Sequence, residues 1–175
     1  MKSFFVLLTL FLPFTIHAQQ VVGLEYQGYP TGNVFAATYE LHKNEHTSFD
    51  IRFGANLISE RTEGEQDIEE GSGFGGSLGY RYYLNQSHNK WFGSLRTDLW
   101  FNNIEWTDLD QDVSGTTNIT VLQPVFYAGY VFKSPLGFRF TPTVGGGFEF
   151  NIREDGRDVG EGPITLWGLQ IGKEM

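Results

Sequence analysis

The chain has 175 residues, a formal net charge of −9 and no cysteine. That length holds one domain with a full core and leaves little for a second. The acidic balance argues against nucleic acid as a partner, and with no cysteine an exported domain must hold together without disulfides.

Residues 1–18 differ from the rest. Lys2 is a minimal positive head, Phe4 to Phe14 an apolar run, and Ala18 a small residue at a cleavage position. This reads as a secretory signal peptide, too short and too interrupted by Pro13 to cross a bilayer as a helix. No cysteine follows it, which excludes lipoprotein anchoring. Residues 19–175 are then the working domain. Their alphabet, with 22 glycines in the chain and 16% aromatics, writes strands and turns more readily than helices.

Eight stretches alternate with a period of two, the signature of strands with unlike faces. The first, 20–29, sets Val22, Leu24 and Tyr26 against Glu25 and Gln27. The second, 34–43, sets Phe35, Ala37, Tyr39 and Leu41 against Thr38 and Glu40. A short turn, "KNEH", leads to 47–58, where Phe49, Ile51, Phe53, Ala55 and Leu57 oppose Asp50, Arg52 and Asn56. The acidic loop "SERTEGEQDIEEGS" precedes 73–84, with Phe74, Leu78, Tyr80 and Tyr82 opposite Ser77 and Arg81. After "NQSHNK" comes 91–102, with Trp91, Leu95, Leu99 and Phe101 opposite Ser94, Arg96 and Asp98. A second long loop, "NIEWTDLDQDVSGTT", leads to 118–132, whose phase is ambiguous because Leu122/Phe126/Tyr130 and Val121/Val125/Tyr127 are both apolar. "KSPL" joins it to 137–151, where Phe138, Phe140, Val144, Phe148 and Phe150 oppose Arg139, Thr143 and Glu149. "IREDGRDVGEG" leads to the last strand, 163–172, with Trp167, Leu169 and Ile171. Pro124 and Pro142 lie inside strands, where each deletes a ladder donor; local bulges are expected there.

In an up-and-down meander, alternate connections share an end. All short turns and both termini then fall at one rim, and the long loops at the other. Lys43, Lys90, Lys133 and Lys173 sort to the short-turn rim with His42, His46 and His88, while the long loops hold fourteen of the twenty-one acids. Two chemically distinct ends fit a barrel fixed across a boundary.

Aromatics cluster near strand ends, Tyr82, Trp91 and Phe138 at one rim and Phe35, Phe74, Phe101 and Phe150 at the other. Two such girdles around an aliphatic middle suit a lipid-facing surface. The opposite faces carry Arg52, Arg81, Arg96 and Arg139 with Glu25, Glu40, Asp50, Asp98 and Glu149, and no lysine. Forked Arg–carboxylate pairs suit a packed interior, whereas a solvated face would mix in lysine. Roughly thirty large apolar side chains would also overfill an eight-stranded lumen. The apolar face therefore points outward, and the sheet must close, because lipid leaves an open edge unsatisfied.

The leader, the eight amphipathic strands and the segments "SLGYRYYLN" (77–85) and "AGYVF" (128–132) resemble the small bacterial outer-membrane β-barrel proteins, a class that includes the transmembrane domain of outer membrane protein A and its short relatives. The resemblance implies an all-β, eight-stranded, antiparallel up-and-down transmembrane barrel, with short periplasmic turns and longer acidic extracellular loops. It further implies residence in the outer membrane, contact with its lipid and assembly machinery, and a monomer. One departure is the end, "QIGKEM", where such barrels usually carry an aromatic residue read during assembly.

For chemistry, the nine interior charges read as a plug in a narrow lumen, with a narrow channel for small solutes as the alternative and a soluble periplasmic lipid carrier as a third reading. Asp108, Asp110 and Asp112 are spaced like the start of a calcium loop. Val113 stands where the turn needs glycine and Ile119 where a bidentate Glu belongs, so no specific metal site is expected. The acidic loops leave room only for loosely held divalent cations bridging to lipid headgroups. No cofactor is expected. Nor is catalysis: the histidines lie at the rim opposite Ser59, Ser72 and Ser114, so no nucleophile has a base.

Overall fold

The computed structural model describes residues 19–61 and 67–175; the leader 1–18 and the core of the first acidic loop, 62–66, lie outside the described residues. Eight antiparallel strands follow in order: β1 (Gln20–Tyr29), β2 (Gly32–His42), β3 (Thr47–Arg61), β4 (Ile68–Tyr83), β5 (Lys90–Asp108), β6 (Val113–Lys133), β7 (Phe138–Asp155) and β8 (Gly162–Glu174). Each pairs with its successor, and β8 returns to β1, in register from Val21↔Glu174 to Gly28↔Trp167, to close the barrel. Among the described residues no strand lacks a neighbour on either side, which is the condition for a sheet in hydrocarbon.

The alternation decides what each wall residue meets. Along β3, Phe49, Ile51, Phe53 and Leu57 are exposed on the outer wall while Asp50, Arg52 and Asn56 are buried in the lumen. The same holds in β5, with Leu95, Leu99 and Phe101 outside and Arg96 and Asp98 inside. The ambiguous strand resolves too: Val121, Gln123, Val125 and Tyr127 turn inward, and Phe126 and Phe132 outward.

The strands run further than the sequence suggested, chiefly at the long-loop end. Of the connection 103–117, only Leu109–Gln111 and Asp112, with its positive φ of 54°, remain as a turn; the rest is ladder, from Lys90↔Val131 to Asp108↔Val113. The physical reason is an inversion of pattern. Beyond the aromatic girdle the outward residues become polar (Asn103, Glu105, Asn118), while the inward ones become apolar (Ile104, Trp106, Ile119). A period-two signal survives there with its faces exchanged, as in a barrel wall surrounded by water. Trp100, Ile104, Trp106, Ile119, Val121, Val34 and Ala36 form one apolar cluster at this end, and Tyr83, Phe92, Val125, Tyr127, Val131 and Leu166 form a second.

The expected bulges at Pro124 and Pro142 are not found. The β6–β7 register is the same on both sides of each proline, from Val121↔Asn151 through Gly129↔Thr143 to Lys133↔Arg139. What the prolines do is interrupt pairing: Leu122↔Phe150 is followed by Val125↔Gly147, and Gly129↔Thr143 by Phe132↔Phe140. The register shifts instead between Thr120 and Val121, where Ile152 is the additional residue, and between Ile58 and Arg61 on the β3–β4 side. Bulges at the rim bend the wall without costing pairing at mid-height.

Candidate functional site in the barrel interior

The period of two carries alternate residues of all eight strands into one lumen, and the nine expected charges, Glu25, Glu40, Asp50, Arg52, Arg81, Arg96, Asp98, Arg139 and Glu149, are all buried there. They form a stack rather than a ring. At its centre Arg52 reaches Glu25 at 2.7 Å and Asp98 at 2.6 Å, and Arg96 reaches the same two acids at 3.2 and 2.7 Å. Gln27 accepts from both guanidinium groups, and Ser77 accepts from Arg52 Nε at 3.0 Å. Toward the short-turn rim, Arg81 joins Asp50 at 3.0 Å and Glu40 at 3.2 Å and donates to Gln170 at 3.1 Å. Glu40 also accepts from Ser48 at 2.7 Å and from the Tyr83 hydroxyl at 2.5 Å.

Guanidinium planes lie over aromatic rings throughout: Arg52 over Trp100 at 5.4 Å, Arg81 over Phe92 at 5.1 Å, and Arg96 over Tyr127 at 4.9 Å. Sequence reasoning did not single out these rings. Their signal was the phase alone, and it was readable only for Trp100, between Asp98 and Asn102, and Phe92, between Lys90 and Ser94; Tyr127 lies between Val125 and Gly129, where both faces are apolar. Glu149 joins the stack differently, accepting from Gln123 Nε2 at 3.1 Å, while Gln123 accepts from Trp100 Nε1 at 3.1 Å.

Both ends of the stack are covered. At the short-turn rim Arg139 donates to the Tyr83 hydroxyl at 2.9 Å and to the His88 carbonyl at 3.0 Å, and sits 3.4 Å from Glu40. Above it the His42 and His88 rings stack at 3.9 Å, nearly parallel. Burial, then the neighbouring His42, holds the His88 imidazole below its ordinary pKa. At the other rim the β7–β8 connection folds over the mouth. Val159 is 3% exposed against the apolar cluster, Gly160 N donates to Glu69 at 3.3 Å, and Arg157 stacks on Trp106 at 4.6 Å.

Asp108 belongs to this cover, pairing with Arg157 at 3.3 Å, while Asp110 and Asp112 are exposed in the β5–β6 turn. The three acids are thus not brought together, and among the described residues no group of three metal-ligating side chains converges. His42, His46 and His88 lie at the short-turn end of the barrel, and Ser59, Ser72 and Ser114 at the other.

No family model and no curated protein matches the sequence. Solved structures do match. The attachment invasion locus protein Ail of Yersinia pestis covers 90% of this chain and 97% of its own at 11% identity, with a TM-score of 0.52. In complex with the heparin analogue sucrose octasulfate the same protein gives 13% identity and a TM-score of 0.51. The N-terminal β-barrel domain of Pseudomonas aeruginosa OprF gives 11% identity over 90% of this chain and 97% of that one, with a TM-score of 0.49. The chain therefore has the fold of the small eight-stranded outer-membrane barrels, a closed, all-antiparallel β-barrel of membrane type.

Proposed function

We propose that this protein is an integral barrel of the bacterial outer membrane whose lumen is plugged by paired charges, and that its role is structural or surface-interactive, without catalysis. One observation carries the reading: Arg52, Arg81, Arg96 and Arg139 are each 5% exposed or less in a lumen where Glu25, Glu40, Asp50 and Asp98 meet them, while the opposite wall is apolar. A buried ionic stack behind an apolar wall suits a protein whose solvent is lipid, since charges taken from water persist only when paired. The likeness to Ail supports the same location.

The rim with short turns and lysines would face the periplasm, and the acidic hairpins the exterior. The test is conductance. Purified protein in planar bilayers should give rare, small openings at most. Steady, uniform, large steps would establish a pore and discard the plug.

A further inference from the structure

Two concavities lie on the outer wall, one above the other on the same strands. The upper, of about 600 Å³, is of mixed polarity, with Ser72, Asn103, Asn118, Thr120, Arg153 and Asp155 beside the Phe74 and Phe101 rings. The lower, of about 910 Å³, is apolar, with Ile51, Leu78, Leu95, Thr97, Phe126 and Phe148 in its lining and Gly146 and Gly147 in its floor. Between them the Phe74 and Phe101 rings meet at 5.6 Å. We propose that this pair of concavities is a binding site for a phosphorylated, acylated glycolipid of the outer leaflet, its headgroup in the upper and its acyl chains in the lower. This rests on the outer-membrane reading above.

The spacing fits one leaflet. On β4, β5 and β6 the two concavities are centred about six residues apart, roughly 20 Å along a strand and about 15 Å along the barrel axis at the usual tilt. Half of a hydrocarbon core is about 15 Å. The upper site then lies at the headgroup level and the lower reaches the midplane.

The chemistry of the upper site selects among amphiphiles. Asn103 Nδ2 donates to Asn118 Oδ1 at 2.9 Å, which leaves the Asn103 carbonyl and the Asn118 amino group to face a ligand. With Ser72, Thr120 and Asp155 they offer donors and acceptors suited to sugar hydroxyls. Arg153 is exposed and has no ion pair among the described residues, so its guanidinium is available to a phosphate. A glycerophospholipid would use Arg153 but offer fewer hydroxyls to the amides than a sugar ring does.

The full chain, reconstituted into nanodiscs of phosphatidylglycerol doped with a diphosphorylated, hexa-acylated glucosamine disaccharide, should retain that glycolipid in native mass spectrometry after repeated dilution. Arg153→Gln should lower retention at least about tenfold and Arg153→Lys restore part of it. Thr97→Trp, filling the lower groove, should also lower it; Lys173→Gln at the other rim should not. Phosphatidylglycerol, inorganic phosphate and the deacylated phosphodisaccharide should compete poorly. Heat-modifiable gel migration certifies each variant as folded. A wild type that holds the glycolipid no better than phosphatidylglycerol would overturn the site, as would folded Arg153→Gln and Thr97→Trp variants that retain it unchanged, or full competition by the deacylated sugar. Flotation of the protein with vesicles, measured on the same samples, separates failure of this site from failure of the membrane reading.

Discussion

Gly79 lies directly across from Asp50, and a Cβ built on it would stand 2.5 Å from the Asp50 carboxylate. The missing side chain is what lets Asp50 turn toward Arg81. Gly79→Val should therefore displace the pair and destabilise the barrel by about 1–3 kcal/mol, read from urea unfolding in detergent micelles. Removing a partner outright should cost more. Arg52→Ala leaves Arg96 alone to balance both Asp98 and Glu25, and about 3–5 kcal/mol is expected, with much of it recovered in a double variant that also makes Glu25 apolar and so keeps Arg96 and Asp98 as a pair.

His88 acts through pH. Its folded form prefers the neutral ring, so the unfolded chain binds the proton more readily. The stabilisation is complete above the ordinary histidine pKa of about 6.5 and is lost as pH falls below it. His88→Gln should flatten the fall in stability between about pH 6.5 and pH 5 in the same unfolding assay. The interior charges, from Arg52 to Glu149, were legible in the sequence because arginines and acids without lysine suit a packed lumen and not a hydrated face. Trp100, Phe92 and Tyr127 were not, because an aromatic is equally at home against lipid and beneath a guanidinium, and only the three-dimensional phase decides.

At the scale of elements, β6–β7 is the seam with missing bonds. Pro124 and Pro142 both interrupt it, whereas β5–β6 is paired without a break over nineteen positions. Amide hydrogen exchange should therefore begin in the membrane-level part of β6–β7 and reach β4–β5 and β5–β6 last. If β5–β6 exchanged first, the prolines would not be the weak point. Strand order and the lipid-facing phase could be read from alternation, and so could most short turns. The upper halves of β5 and β6 could not, because a search for apolar-out strands ends where apolar residues move inside. Ile104 and Trp106 looked like loop residues for that reason alone.

For the molecule as a whole, two solvents account for two patterns in one wall. The lower barrel is inverted, with charges inside and apolar groups out; the upper is conventional, with Val34, Ile104 and Val121 inside and Asn103 and Asn118 out. Phe74 and Phe101 sit on the outer wall at the level where one gives way to the other. Ile104→Asp, in the upper core, should destabilise the barrel as a buried unpaired charge does, even though it lies beyond the girdle. Glu105→Ala, on the adjacent outer position, should be nearly silent. Equal effects at the two sites would contradict the inversion.

The seam that closes the wall joins β1 to β8, with Met175 N donating to the Gln20 carbonyl at 2.9 Å. Geometrically it is one more antiparallel junction, shorter than the other seven and without a covalent turn. The cylinder thus has no privileged starting point. A gene rearranged to begin at Asn89, with the old ends fused by a few flexible residues, should yield the same circle of strands.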